Sequence, residues 1–264
     1  MGTASQRKAK FYSEHPTCCF CGGDTPADTQ DHIPSRSFFR GRLWPEGYVF
    51  PACSACNNFT ARYETLTALL CRIATDSHAN PETQREIEVL MTTIARKDPD
   101  LYRSLEPSSG EVRRWLRTHG QKLPSGMTTK DAPIISIDHP RIGEAVGYYA
   151  TKIFLSLYYF HTRAILPLQG GIVFRWYSNA TPLDQRPPPN LLAEIIPGVG
   201  ELRRQGTSLH DQYFYQYGLA GDDSGAAVFH VYFNGGLALL GFVFRNISSV
   251  QLPESAMVLR PFAH

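Results

Sequence analysis

Two Cys-x-x-Cys pairs, Cys18/Cys21 and Cys53/Cys56, bracket the dipeptide Asp31-His32, and Asn57 directly follows the last cysteine. Four thiolates at this spacing match a tetrahedral structural zinc site, Zn²⁺ held by Cys18, Cys21, Cys53 and Cys56. The 31 residues between Cys21 and Cys53 exceed an ordinary ribbon loop, so they must carry structure of their own. A lobe of about 60 residues has a small core, and a structural zinc contributes roughly 10–16 kcal/mol of apparent binding free energy to its folding. Cys19 lacks the knuckle spacing to Cys21 and reads as a bystander. Cys71 lies in a helical stretch and reads as a core thiol.

The residues inside this frame suit phosphodiester hydrolysis. Such a reaction needs a base to take a proton from water, a hard cation to hold charge on the phosphate oxygens, and oxygen ligands for that cation. His32 has the ordinary pKa of a base that works near neutrality. Asp31 offers a carboxylate and Asn57 a carbonyl, donors suited to Mg²⁺ or Mn²⁺. Neighbouring strand residues point to opposite faces, so Asp31 and His32 can act together only where the strand ends or bulges. Pro34, two residues on, predicts such an ending.

The strings Cys18-Cys19-Phe20-Cys21-Gly22-Gly23, Asp31-His32-Ile33-Pro34-Ser35 and Pro51-Ala52-Cys53-Ser54-Ala55-Cys56-Asn57 together resemble the HNH endonuclease superfamily, the ββα-metal fold, in its four-cysteine zinc subtype. The resemblance covers about residues 15–60. It implies that His32 is the general base, that Asp31 and Asn57 hold the catalytic divalent metal, and that the cysteines hold zinc. It further implies a hydrolase acting on DNA (RNA is not excluded) and leaving 5′-phosphate and 3′-hydroxyl ends. A single site of this kind cuts one strand, so double-strand cleavage points to a homodimer or to sequential nicking. Two positions depart from the family pattern. Tyr48 stands near where an Asn often buttresses the His, and Thr60 stands where a basic residue often follows the final Asn, with Arg62 nearby.

The elements that must position these residues are legible in part. Thr29–His32 and Tyr48–Phe50 read as short strands, and a helix from Ala55 toward Ile73 follows from Phe59, Leu66, Leu69, Leu70 and Ile73. Asn80 and Pro81 predict a helix start, with Ile87, Leu90, Met91 and Ile94 on one face. A further helix is expected from Gly110 to Thr118, capped by Ser109, and an aromatic one from Ile142 to Thr162. Asp138-His139-Pro140 reads as a helix start rather than a second site. Gly171–Tyr177, Gln212–Gly218, Ala226–Phe233 and Leu237–Phe244 show strand periodicity, with a turn at Asp222-Asp223. The expected class is α+β: a zinc-stapled ββα-metal lobe at 1–75, then a larger α+β lobe at 76–264, helical over 76–165 and β-rich over 169–264.

Bulk properties bound the rest. The chain has 264 residues, 42% hydrophobic, and a net charge of +2, too small to name a polyanionic partner. Residues 1–75 carry eight Lys/Arg against six Asp/Glu, so any cationic bias lies there and is mild. Arg36, Arg40 and Arg62 are candidate backbone contacts, with a solvated loop as the competing reading for each. No secretory signal or spanning apolar run is visible, which predicts a cytoplasmic protein with reduced thiols and no membrane partner. A second class of function fits the same cysteines: a zinc-stabilised nucleic-acid-binding or sensor protein without catalysis.

Overall fold

A computed structural model describes residues 3–73, 81–132, 134–137, 139–179, 181, 183–187, 195–221 and 224–263. Helix α1 (Ala4–Glu14) precedes the strands β1 (Thr29–His32) and β2 (Val49–Ala52) and the helix α2 (Ser54–Arg72). Helices α3 (Pro81–Lys97), α4 (Pro99–Leu105), α5 (Ser109–Thr118) and α6 (Pro140–Thr162) follow. The remaining strands are β3 (Gly171–Ser178), β4 (Gly198–Gly200), β5 (Arg203–Arg204), β6 (Thr207–Ser208), β7 (Tyr213–Leu219), β8 (Ala227–Phe233), β9 (Leu237–Phe244) and β10 (Met257–Leu259). The chain is α+β with antiparallel sheets, as its patterning predicts.

Helix α6 is apolar on most sides in sequence and buried on most sides in the fold. Ile142, Val146, Ile153, Phe154 and Leu157 are all inaccessible to solvent or nearly so. On one side it meets the antiparallel sheet β10-β3-β9-β8-β7-β4 through β3, β8, β9 and β10, and on another it packs along α2. One hydrophobic cluster therefore runs from Cys18 and Phe50, through Leu66 and Tyr149, to Phe229 and Leu239. The N-terminal and C-terminal parts share a core across the 75/76 boundary, which itself lies outside the described residues. The chain's end also returns to its beginning: the Phe262 amide donates to the Phe20 carbonyl at 2.8 Å.

Several boundaries differ from the sequence expectation, each for a local reason. Strand β2 runs on through Pro51 to Ala52, because β2 pairs only with β1 among the described residues and a strand at an edge tolerates the missing donor. Helix α5 is capped by Ser108, not Ser109, since Ser108 completes a capping box with Glu111 three residues on. Helix α6 begins at Pro140, with the His139 ring accepting from the Arg141 amide. Helix α4 and the short strands β4, β5, β6 and β10 escape a periodicity reading because they are too brief to show a period. The cap expected at Asn80, Asp138 and the turn at Asp222-Asp223 lie outside the described residues.

Candidate metal centre and the His32 site

The four predicted cysteines meet. Cys18, Cys21, Cys53 and Cys56 are all buried, and their sulfurs lie within 4.8 Å of one another. A tetrahedral ion with metal–sulfur bonds of about 2.3 Å needs sulfurs roughly 3.8 Å apart, so the set fits a zinc-like ion. Each knuckle turns back on its first sulfur. The Phe20 amide donates to Cys18 Sγ and the Cys56 amide to Cys53 Sγ, both at 3.4 Å. Gly22 and Gly23 follow with φ of +76° and +87°, and a Cβ at Gly22 would stand 2.8 Å from Leu168 Cγ. Cys53 is also the N-cap of α2, so an ion held by this cluster would fix where that helix starts. The Cys56 thiol and nearby amides hold the Cys18 thiol down at about 5, whereas burial pushes Cys21 up to about 11. Cys19 and Cys71 are buried outside this group, and burial raises both thiols. Among the described residues there is no other group of three or more His, Cys, Asp or Glu placed to share an ion.

Strand β1 ends at His32, and its alternation persists to that end. Asp31 is 6% exposed and points inward, while His32 is half-buried among different neighbours. Asp31 Oδ2 lies 2.5 Å from Lys152 Nζ, and the same ammonium lies 3.4 Å from Glu64 Oε1. Lys152 rises from α6 and has no exposed surface, so it acts as an interior counter-charge to two carboxylates. Burial, ahead of the opposing pull of Lys152, raises the Glu64 carboxyl above its ordinary range. Asn57 lies in the first turn of α2 and its amide donates to Thr29 Oγ1 at 3.4 Å, on the strand face that Asp31 shares. Tyr48, near the buttressing position, stacks on Phe160 and bonds Tyr215 Oη at 3.0 Å. Thr60 is buried and its hydroxyl donates to the Cys56 carbonyl.

His32 faces an aromatic and cationic cluster instead. Its ring stands edge-on to Trp44, centroids 5.3 Å apart. The Arg36 guanidinium lies 3.7 Å from the Trp44 ring centre, and that of Arg204, from β5, lies 4.3 Å away. Burial first, and then the positive fields of Arg36 and Arg204, lower the His32 pKa below its ordinary 6.5. His32 is therefore a neutral imidazole near neutrality, the form that can accept a proton. Arg40 is engaged elsewhere, in an ion pair with Asp211, and its amide donates to Gln212 Oε1. Arg62 lies in α2, and its side chain is outside the described residues. Phe38 and Phe39 are buried in the core.

Sequence reasoning missed three members of this neighbourhood. Lys152 carried a signal, the one Lys or Arg in the apolar stretch from Val146 to Phe160. Glu64 falls on the Asn57 face of α2, two turns on. Arg204 carried none, since it lies far along the chain from His32. Comparison with known proteins matches this chain to no family model, no curated protein and no solved structure.

Proposed function

We propose that this chain is an HNH-type endonuclease that hydrolyses phosphodiester bonds in DNA, with His32 as general base. The observation that carries the reading is the half-buried His32 ring edge-on to Trp44, with the Arg36 and Arg204 guanidiniums over the same indole. Water deprotonated at His32 would attack a phosphate whose charge the guanidiniums offset, leaving 5′-phosphate and 3′-hydroxyl ends. The zinc-fitting cysteines support the reading by anchoring the end of β2, which pairs with β1, and the start of α2. In the family pattern a catalytic Mg²⁺ or Mn²⁺ would take Asp31 and Asn57. Here Lys152 already holds the Asp31 carboxylate, so a divalent ion fits that place only if the ammonium moves off it.

That ion pair favours a second reading, a zinc-stabilised nucleic-acid-binding protein that does not cut. Supercoiled plasmid incubated with Mg²⁺, Mn²⁺ or no divalent metal, beside the His32→Ala variant, separates the two. Nicked or linear product that disappears in His32→Ala supports the nuclease, and its metal requirement reads out the Asp31–Asn57 assignment. DNA binding without cleavage by folded, zinc-loaded protein favours the second reading. Cleavage that His32→Ala leaves intact removes His32 from the chemistry.

A further inference from the structure

We infer that Arg36 and Arg204 form a two-armed phosphate clamp on Trp44, with the β5–β6 hairpin of the C-terminal half completing the nucleic-acid contact surface of the His32 site. The inference rests on the reading of His32 as part of a site that handles nucleic-acid phosphate. Both guanidiniums lie over one indole, 3.7 and 4.3 Å from its centre. Two like charges sharing one ring, and so at most about 8 Å apart, repel each other, and the ring quadrupole offsets only part of that repulsion. Neither has a carboxylate partner among the described residues, although Arg40, Arg72, Arg103, Arg141 and Arg203 each have one. The Arg204 Nε is in addition buried with no hydrogen-bond acceptor among the described residues. A cation pair lacking anions, with a buried donor unused, is an arrangement that an anion would complete.

The hairpin is built to hold Arg204 in place. Arg204 pairs with Thr207 across a two-residue turn, Gln205 at φ 48° and Gly206 at φ 80°, the left-handed geometry that suits strand twist. Glu46 ties that turn to the loop bearing Trp44. Its amide donates to the Arg203 carbonyl at 2.9 Å, and its carboxylate accepts from the Gln205 amide at 3.2 Å. Trp44 orients both planar forks, which suits the paired oxygens of a phosphodiester better than a point charge would. A phosphate gripped there sits beside the His32 ring, which packs against the same indole.

The test is binding of a short fluorescein-labelled DNA duplex, and of the matching single strand, followed by anisotropy over a salt series without added divalent metal. Wild type is compared with Arg204→Ala, Arg204→Lys, Arg36→Ala and the ion-paired control Arg103→Ala on α4, with zinc content and melting temperature checked for each. The clamp predicts about tenfold weaker binding for Arg204→Ala and for Arg36→Ala. It also predicts a salt slope shallower by about one for each lost guanidinium. Arg204→Lys should recover the slope but not the full affinity, and Arg103→Ala should bind as wild type does. Unchanged affinity and slope in folded Arg204→Ala overturns the clamp, even if the plasmid is cut. Weakened binding with no cleavage by wild type keeps the clamp and sinks the nuclease. If the wild type binds neither DNA form, both fall.

Discussion

At the scale of single residues, Asp31 and His32 are adjacent in sequence and opposite in environment. Strand alternation sends the carboxylate to Lys152 and the imidazole to Trp44. For His32 the depressed pKa sets a sign. The neutral form is the active one, so activity should rise with pH on a limb lying below 6.5 and be level through neutrality. A cleavage rate that still climbs above pH 7 would contradict His32 as the base. Arg36→Ala removes one of the two named cations and should move that limb upward. For Lys152 the prediction concerns stability. Lys152→Met leaves buried Asp31 and half-buried Glu64 without a counter-charge and should cost about 3–5 kcal/mol, read from denaturant midpoints. Adding Asp31→Asn and Glu64→Gln to Lys152→Met should recover much of that loss, because the uncompensated charges leave with their partner. A triple variant no more stable than the single one would mean that Lys152 acts through packing rather than charge.

At the scale of elements, the unit β1–β2–α2 depends on its sulfurs. Removing the ion with a chelator should melt these elements, since a binding contribution on the order of 10 kcal/mol rivals the stability of a whole domain. Circular dichroism and a chromogenic zinc titration follow the loss together. Cys18→Ala and Cys56→Ala should each lose the metal, whereas Cys19→Ala should retain one equivalent, because Cys19 lies outside the sulfur cluster. A Cys19→Ala protein that binds no zinc would undo the ligand assignment. These elements were legible because their signals are local. The repeated Cys-x-x-Cys marks the cluster, and the apolar spacing of α2 and α6 marks helices long enough to show a period. Strands β1 and β9 were legible to the residue. What stayed hidden depends on partners distant in sequence: Lys152 on Asp31, Arg204 over Trp44, and Tyr215 on Tyr48. No spacing rule relates a residue of β5 to one of β1, so half of the His32 surroundings emerges only when the chain is folded.

At the scale of the whole molecule, the shared core ties the metal centre to the C-terminal sheet, and that core contains neutral histidines. His161 bonds Tyr215 Oη at 3.0 Å and stacks on Tyr217 at 3.8 Å, linking α6 to β7. His230 is 4% exposed on β8, and Tyr232 is its hydrogen-bond partner at 2.7 Å. Burial lowers both pKa values to about 4, with Arg163 adding to the effect at His161. The unfolded chain takes these protons at the ordinary 6.5, the native chain only near 4. Their contribution is therefore complete above 6.5 and is lost progressively as pH falls from 6.5 toward 4. For His230 the loss amounts to about 3 kcal/mol at most, since each pKa unit corresponds to about 1.4 kcal/mol. Glu64 works in the opposite sense, its raised carboxyl gaining relative stability in acid, but it is one group against two. Thermal melts of zinc-loaded protein should therefore show a falling midpoint between pH 7 and pH 5. His230→Leu, which cannot be protonated, should flatten that fall while leaving the metal content unchanged. A His230→Leu protein as acid-sensitive as wild type would place the acid lability elsewhere, with the cysteine cluster the first place to look, because protonating its sulfurs would release an ion held where β2 ends and α2 begins.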